Sequence, residues 1–336
     1  PLTEGLADEW NRATDRHVRL YRAWAEGGAG LVVTGNVQVD RRYLERPGNV
    51  VIDGTVPQTI DDVALAALRA YARAGSGNGT LLLMQLNHPG RQTPRSVCAQ
   101  PVAPSAVPLN LPGQAFAPPR ALDPAEVLDV IDRFVFAAKV ARDCGSGGVQ
   151  LHAAHGYLLS AFISPLTNRR NDEYGGDLEG RLRFPLEVFA AMRAAWPAEK
   201  PMSVRISATD WVEGGITGED SVAIARAFKA AGADLIDVSA GQTSIKARPV
   251  YGRMFQTPFS DRIRNEVGMA TMAVGNIYEP DHVNSILMAG RAALVALARP
   301  HLADPYWTLH AAIKLGDRGV KWPDPYLPGR DQQYRV

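Results

Sequence analysis

Short apolar runs of strand length alternate with segments of helical periodicity along almost the whole chain, and this alternation constrains the fold more than any other feature. The predicted strands are residues 30–35, 80–86, 148–152, 202–207, 234–239, 270–275 and 293–298. The predicted helices lie near residues 15–25, 60–73, 124–143, 181–195, 221–231 and 279–288, with a last one after Asp304. Strands that alternate with helices are typical of a parallel sheet, so the pattern predicts an α/β fold.

Two architectures satisfy this pattern, an open doubly wound sheet and a closed (β/α)8 TIM barrel. A dinucleotide-binding open sheet places a GxGxxG motif directly after a strand, whereas the glycine-rich segments 75–79 and 145–148 follow helices and precede strands. In a barrel the carboxyl ends of the strands meet at one mouth, where the active site lies. Nearly every predicted strand ends in a polar residue suited to such a mouth: Asn36, Gln85, His152, Arg205, Ser239, Asn276 and Arg299. The sequence therefore favours the TIM barrel.

Seven strands are one fewer than a TIM barrel needs. We expect the first strand to be truncated in this chain, with residues 1–3 as its last part. Residues 1–336 are expected to form a single domain, because the alternation continues unchanged on both sides of residues 94–124. That segment carries eight of the 24 prolines, and so long a loop is typical of a lid or a substrate-binding element. A C-terminal tail is expected from about residue 316.

Charge and cysteine content argue against several classes of partner. The 36 Lys and Arg against 35 Asp and Glu leave a formal net charge of +1, so neither nucleic acid nor a membrane surface is expected to bind. Cys98 and Cys144 are too far apart in the sequence to form a CxxC pair or an iron–sulfur set. A chain with so few cysteines is typical of a reducing, cytoplasmic environment.

The densest group of chemically capable residues is His152, His155 and Tyr157, at the end of a predicted strand. Three interpretations stay open on spacing alone. Two imidazoles can ligate a metal, but zinc requires further protein ligands and no HExxH motif is present, so no metal site is predicted. The histidines can instead be buried in a structural network. Alternatively, they donate hydrogen bonds to one substrate oxygen while Tyr157 donates a proton.

The segment that contains these residues, HAAHGYLLSAFISPLTNRRNDEYGGDLEGRLRF at 152–184, closely resembles the signature of the Old Yellow Enzyme family of FMN-dependent oxidoreductases. Other segments resemble the family in the same order: PLT at 1–3, LLLMQLNHPGRQ at 81–92, VRIS at 204–207, AVGNI at 273–277 and ALVALARPHLADP at 293–305. The resemblance covers essentially the whole chain. It implies a TIM barrel of the single-domain form, with FMN as the cofactor and NADH or NADPH as the reductant.

The resemblance also implies which residues bind the FMN. Its phosphate is expected near the last two strands, which is the usual phosphate position in this fold. The residues that match cofactor-binding positions are Gly275, Asn276, Ala298 and Arg299 for the phosphate, Gln85 for the pyrimidine edge, Arg205 for the N1 and O2 side, and Thr3 for O4, with Asn36 in the same set.

For catalysis, the resemblance implies reduction of an activated alkene, such as an α,β-unsaturated carbonyl compound. His152 and His155 are expected to hydrogen-bond the carbonyl oxygen, flavin N5 to deliver a hydride to Cβ, and Tyr157 to give a proton to Cα. A catalytically silent flavin-binding barrel, a domain of a larger protein and a metal-dependent hydrolase are the alternatives. Arg335 is similar to an arginine that some members insert into a neighbouring subunit, which predicts a homo-oligomer, whereas a disordered tail is the other interpretation.

Overall fold

A computed structural model of the chain describes residues 2–110, 113 and 115–335. Its strands are β1 Leu31–Val33, β2 Val37–Gln38, β3 Leu81–Asn87, β4 Val102–Ala103, β5 Arg120–Ala121, β6 Gly148–Ala153, β7 Met202–Ser207, β8 Leu235–Ser239, β9 Thr271–Ala273 and β10 Leu294–Val295. Its helices are α1 Asp15–Glu26, α2 Asp62–Gly75, α3 Pro124–Asp143, α4 Leu158–Ile163, α5 Leu178–Ala195, α6 Gly218–Ala230, α7 Thr257–Val267, α8 Pro280–Met288, α9 Arg299–Ala303, α10 Trp307–Leu315 and α11 Leu327–Gln333. None of these helices is long and apolar enough to cross a membrane.

Eight of the strands form one sheet in the order β1-β3-β6-β7-β8-β9-β10, with β2 also pairing with β3. All of its pairings are parallel, so every strand presents its carboxyl end at the same edge. The predicted α/β fold is confirmed, and this strand order is consistent with a (β/α)8 barrel. The polar residues that follow the strands are thereby brought to one side of the molecule.

The two ends of this strand order, β1 and β10, both line an apolar cavity of about 610 Å³. Leu31 and Val33 of β1 line it together with Leu294 and Val295 of β10. Within the described ranges, no strand pairs with the free edge of β1 or of β10. Pro1 lies outside the described residues, and the truncated first strand stays a prediction.

Helix α3 illustrates how the sequence sets an element and its packing. Asp123 accepts a hydrogen bond from the Glu126 N–H at 2.8 Å, the Glu126 side chain accepts one from the Asp123 N–H at 3.0 Å, and Pro124 occupies the first helical position. The residues that α3 buries recur every three or four positions, with one adjacent pair: Val127, Val130, Phe134, Ala137, Ala138 and Ala141. Burial of a side chain such as Phe134 contributes roughly 1.5–3 kcal/mol. This face holds α3 against the sheet.

Arg133, at the margin of the buried face of α3, anchors the segment between β2 and α2. Its guanidinium lies 3.4 Å from Asp40 and 3.3 Å from Asp53, and both carboxylates are fully buried. Burial alone raises the pKa of Asp40, but hydrogen bonds from Arg42 and the charge of Arg133 bring that pKa below its ordinary value. Arg133 therefore bridges two carboxylates that have little contact with water, and Arg42 is a second partner of Asp40.

Residues 94–124 contain more regular structure than we predicted from their prolines. Strands β4 and β5 pair in parallel, and a single bridge joins Pro94 to Phe116. Val102 and Ala103 are each only 1% exposed, so part of this segment belongs to the packed interior. Residues 111, 112 and 114 lie outside the described part of the segment. Its role as a lid or substrate-binding element stays a prediction.

The C-terminal segment from residue 316 contains regular structure up to residue 333, and the disordered tail that was the alternative for Arg335 stays a prediction. A 3-10 turn at Asp324–Tyr326 leads into α11. The Arg318 guanidinium lies 4.7 Å from the centre of the Tyr334 ring and donates to the Tyr334 carbonyl at 3.3 Å. Arg335 is exposed at the end of this segment. Its insertion into a neighbouring subunit stays a prediction.

Candidate active site

The turn after β6 brings His152, His155 and Tyr157 side by side. The His152 ring centre lies 5.3 Å from that of His155 and 5.0 Å from that of Tyr157, both edge to face. His155 and Gly156 both have left-handed backbone angles, with φ of 62° and 73°, which reverse the chain so that Tyr157 can cap α4. A side chain at Gly156 would approach the Gln242 carbonyl to 2.8 Å, so only glycine fits there.

The hydrogen bonds of His152 fix the form in which its ring is present. The Ala154 N–H donates to His152 Nδ1 at 3.2 Å, so the neutral ring carries its proton on Nε2. Burial, with the charges of His155 and Arg205, lowers the pKa of His152 well below its usual value. Burial and Arg205 lower the pKa of His155 in the same way, and its Nε2 lies 2.6 Å from Ser239 Oγ. Both rings are therefore neutral at pH 7, and His152 has an N–H to donate.

Glu45 lies at the centre of a second group of polar side chains in the site. Its Oε2 atom accepts hydrogen bonds from Thr3 Oγ1 and Asn36 Nδ2, both at 2.6 Å, and its Oε1 atom lies 3.0 Å from the Arg46 guanidinium. Burial, and then the charge of Glu45, raises the pKa of Tyr157, which keeps that phenol protonated. Thr3 donates its hydroxyl hydrogen bond to Glu45, and its predicted contact with flavin O4 stays a prediction.

A third group lies on the strands of the sheet and includes Gln85 on β3 and Arg205 on β7. Gln85 Nε2 donates to Gln150 Oε1 at 2.6 Å, Gln150 Nε2 donates to Asp237 Oδ2 at 3.3 Å, and Arg205 lies 3.4 Å from the same carboxylate oxygen. Two buried atoms, Gln85 Oε1 and Arg205 Nε, have no hydrogen-bond partner among the described residues. One is an acceptor and the other a charged donor, as the pyrimidine edge of a flavin requires. The donor set therefore fits FMN.

The predicted phosphate-binding residues follow the last two strands of the sheet. Because β9 and β10 pair in parallel, the segments that carry Gly275 and Arg299 leave the sheet at the same edge. Gly275 has φ of 114°, and a side chain there would collide with Gln256, so glycine is required. Asn276 and Arg299 are exposed, and Ala298 immediately precedes α9. These four residues stay predicted phosphate contacts.

Three site residues were not predicted, namely Glu45, Gln150 and Asp237, and Ser239 was named only as one of the polar strand ends. Gln150 and Asp237 do give a signal, because each is a polar residue inside an otherwise apolar buried strand. A polar side chain at such a position must find a buried partner. Ser239 gives a weaker signal as a polar residue at a strand end. Glu45 gives none, since it lies in an irregular segment nine residues from Asn36.

Across residues 2–110, 113 and 115–335, no group of three or more His, Cys, Asp or Glu side chains is placed to hold a metal ion. The nearest partners of the two site histidines are of another kind. His152 accepts from a backbone N–H, and His155 contacts a serine hydroxyl.

Comparison with known proteins gives concordant matches. The profile of the NADH:flavin oxidoreductase / NADH oxidase family matches residues 1–317. A NADH oxidase from Thermoanaerobacter brockii is 37% identical over 313 residues, which are 91% of this chain but 47% of the oxidase. A NADPH dehydrogenase from Clostridium acetobutylicum is 40% identical over 97% of this chain and 92% of its own length. The structure of the old yellow enzyme homologue from Zymomonas mobilis superposes with a TM-score of 0.77 at 26% identity, over 96% of this chain and 88% of the homologue.

Proposed function

The chain belongs to the NADH:flavin oxidoreductase / NADH oxidase family, and we propose that it is an FMN-dependent enzyme that uses NADH or NADPH to reduce an activated alkene. The family match supports the flavin and the reductant. One observation supports the alkene: two neutral imidazoles and a protonated phenol lie together at the end of β6. Such a set polarises a carbonyl group and delivers a proton, which is what alkene reduction requires besides a hydride.

FMN would lie with its pyrimidine edge against Gln85 and Arg205, whose unpartnered atoms complement it, and with its phosphate toward Gly275 and Arg299. Bound FMN would supply the redox chemistry, which is hydride transfer from NADH or NADPH to the β carbon of the substrate. Arg205 supplies a buried positive charge where negative charge develops on reduction. Backbone N–H groups and the Arg299 guanidinium suit a phosphate dianion.

The two histidines bind the substrate carbonyl and orient it. His152 donates its Nε2–H to the oxygen, since its Nδ1 is already occupied by the Ala154 N–H. Ser239 fixes the orientation of the His155 ring. Hydrogen bonds to the carbonyl oxygen draw electron density from the alkene and favour addition at its β carbon. Tyr157 then gives its phenol proton to the α carbon, and the O–H bond of the phenol breaks as the new C–H bond forms.

The experiment that tests this function uses the purified full chain with FMN. A visible absorbance band and its anaerobic bleaching by NADPH or NADH establish flavin binding and reduction. The bleached protein is then mixed with a panel of enones, nitroalkenes, quinones and enoyl thioesters, and reoxidation is followed with product analysis. Reoxidation by alkenes with formation of the saturated product supports the proposal. Bleaching without reoxidation by any alkene favours a catalytically silent flavin-binding barrel.

Substitution of His152 and His155 by alanine together should weaken the binding of phenols about 100-fold. A phenolate ligand accepts a hydrogen bond from each ring, and a hydrogen bond to a charged group contributes about 1.5–3 kcal/mol. Titration of the holoenzyme with a phenol, followed by the perturbation of the flavin absorbance, measures the affinity. His152→Gln is the matched control, because it retains an N–H donor. Equal affinity in the double variant and the wild type would show that the two rings do not hold the ligand.

Glu45→Gln should have the opposite effect and tighten phenolate binding about tenfold. The carboxylate of Glu45 is 12% exposed and lies beside Tyr157, the residue that we propose to contact the substrate. Without this negative charge, the bound phenolate is no longer repelled by Glu45, which is a gain of roughly 1–2 kcal/mol at an effective dielectric constant near 20. The same titration measures the phenolate affinity, with Glu45→Asp as the charge-preserving control. The affinity for an uncharged ketone should be the same in Glu45→Gln and the wild type. A tenfold gain with the ketone as well would contradict a charge effect.

A further inference from the structure

Four buried polar side chains on four strands form one connected network behind the predicted flavin edge. It runs from Gln85 on β3 through Gln150 on β6 to Asp237 on β8, and from there to Arg205 on β7. Asp237, Gln85 and Gln150 are 0% exposed, and Arg205 is 6% exposed. Barrel interiors are usually filled by branched apolar residues, so a polar layer here is a departure that calls for a role.

The carboxylate of Asp237 sets the direction of the hydrogen bonds in this network. An ionised carboxylate only accepts, so the side chain of Gln150 must turn its NH2 group toward Asp237. Its carbonyl oxygen then faces Gln85, which must turn its own NH2 group toward Gln150. Gln85 is left with its Oε1 atom directed away from the network and without a partner among the described residues. One carboxylate thereby fixes the orientation of two amides.

The same carboxylate also pairs with the buried cation of the site. Asp237 Oδ2 lies 3.4 Å from Arg205 NH1, while Arg205 Nε has no partner within the described part of the chain. The Asp237–Arg205 pair is close to neutral as a unit, yet the Nε–H of the guanidinium is still available to a ligand. Any anionic group beside Arg205 therefore meets a cation whose charge is partly compensated from behind.

We propose that Asp237 is a positioning residue that acts on the bound FMN through two neighbours: through Gln150 it orients the Gln85 amide, and through Arg205 it moderates the positive charge beside the flavin. It thereby sets how much more tightly the protein holds reduced than oxidised FMN. The inference rests on the FMN position proposed above, but it does not depend on which substrate reoxidises the flavin.

The test is the ratio of the dissociation constants for oxidised and reduced FMN, obtained from the FMN affinity and the midpoint potential of the holoenzyme. Asp237→Asn removes the charge and keeps the shape. Because reduced FMN carries more negative charge in its pyrimidine ring, the uncompensated Arg205 should raise this ratio at least tenfold, or about 30 mV for a two-electron couple. Asp234→Asn is the matched control, since Asp234 precedes the same strand but is exposed, with Arg193 as its ion-pair partner.

Two variants of Gln150 separate the amide effect from the charge effect. Gln150→Met breaks the connection to Gln85 and leaves the Asp237–Arg205 pair, so oxidised FMN should bind about tenfold more weakly while the midpoint potential stays unchanged. Gln150→Glu adds a second carboxylate and should shift the potential in the direction opposite to Asp237→Asn. If Asp237→Asn does not fold, the midpoint potential of Gln150→Glu serves as the test of the proposal.

An unchanged affinity ratio in folded, FMN-loaded Asp237→Asn, or a shift of equal sign in Gln150→Glu, overturns the inference. These outcomes are independent of alkene reduction. If the potentials shift as expected but no alkene is reduced, only the proposed function fails. If alkenes are reduced and the potentials do not shift, only the role of Asp237 fails.

Discussion

Tyr157→Phe should slow alkene reduction by about two to four orders of magnitude, which is the range that a positioned general acid contributes. The phenylalanine ring keeps the contact with His152, whose ring centre lies 5.0 Å from that of Tyr157, so substrate binding should change little. Reduction of the bound FMN by NADPH requires no proton from Tyr157 and should proceed at the wild-type rate. The loss should therefore be confined to the oxidative half-reaction.

Stopped-flow absorbance of the two half-reactions separates these effects. The matched control is Tyr174→Phe, which removes a phenol that donates to Glu187 at 3.1 Å on α5. Burial raises the pKa of Tyr157, and Glu45 raises it further, so its phenol stays protonated throughout the usual assay range. The wild-type rate should accordingly show no alkaline limb from this group up to about pH 10. An oxidative half-reaction of wild-type speed in Tyr157→Phe would assign the proton donor elsewhere.

The part of the site that carries the chemistry could be predicted from the sequence because it is contiguous. His152, His155 and Tyr157 lie within six residues, at the end of a strand whose carboxyl edge is the functional edge in this type of fold. The left-handed backbone at His155 then turns the chain so that the three rings lie together. Spacing alone could not exclude a metal site or a structural network.

The supporting residues could not be predicted, because strand register decides their contacts. Gln85 lies opposite Gln150, and Arg205 lies opposite Asp237, only when four strands pair in one particular alignment. A shift of one residue on any strand would turn its polar side chain to the other face. Glu45 depends on a turn in an irregular segment, for which neither periodicity nor register offers a guide.

The same contrast between local and distant determinants holds for the fold. β7 and α3 have the predicted bounds, because an apolar run and a capping box mark them locally. β9 is shorter than the predicted strand at 270–275, since Gly275 adopts φ of 114° and turns the chain out of the sheet. α7 was not predicted: its apolar stripe is only Phe259, Ile263 and Val267, too narrow to stand out.

Arg133→Leu should destabilise the protein by about 3–5 kcal/mol, the cost of breaking a buried ion pair by removing one partner. Leucine preserves much of the packing of the arginine stem, so the loss is mainly electrostatic. Asp53 keeps hydrogen bonds from the Arg41 and Thr55 N–H groups but loses the Arg133 guanidinium, and Asp40 keeps Arg42. Asp53, whose side chain is 0% exposed, would then have no ion-pair partner among the described residues, and the equally buried Asp40 would have only the half-exposed Arg42. Urea unfolding of the holoenzyme at pH 7, followed by circular dichroism, measures the difference.

The control on the same helix is Arg142→Leu, whose partner Asp143 is 59% exposed, and there the change should stay within about 1 kcal/mol. The pH dependence gives a second check with a definite sign. The folded-state pKa of Asp40 lies below its ordinary value, so its stabilising contribution is present above the ordinary carboxyl pKa and is lost as the pH falls through the folded value. In Arg133→Leu, protonation instead relieves the charge on the buried carboxylates that have lost the Arg133 guanidinium. The stability gap between wild type and variant should therefore be largest at neutral pH and narrow toward pH 4, and a gap that is constant with pH would mean that Arg133 acts through packing rather than charge.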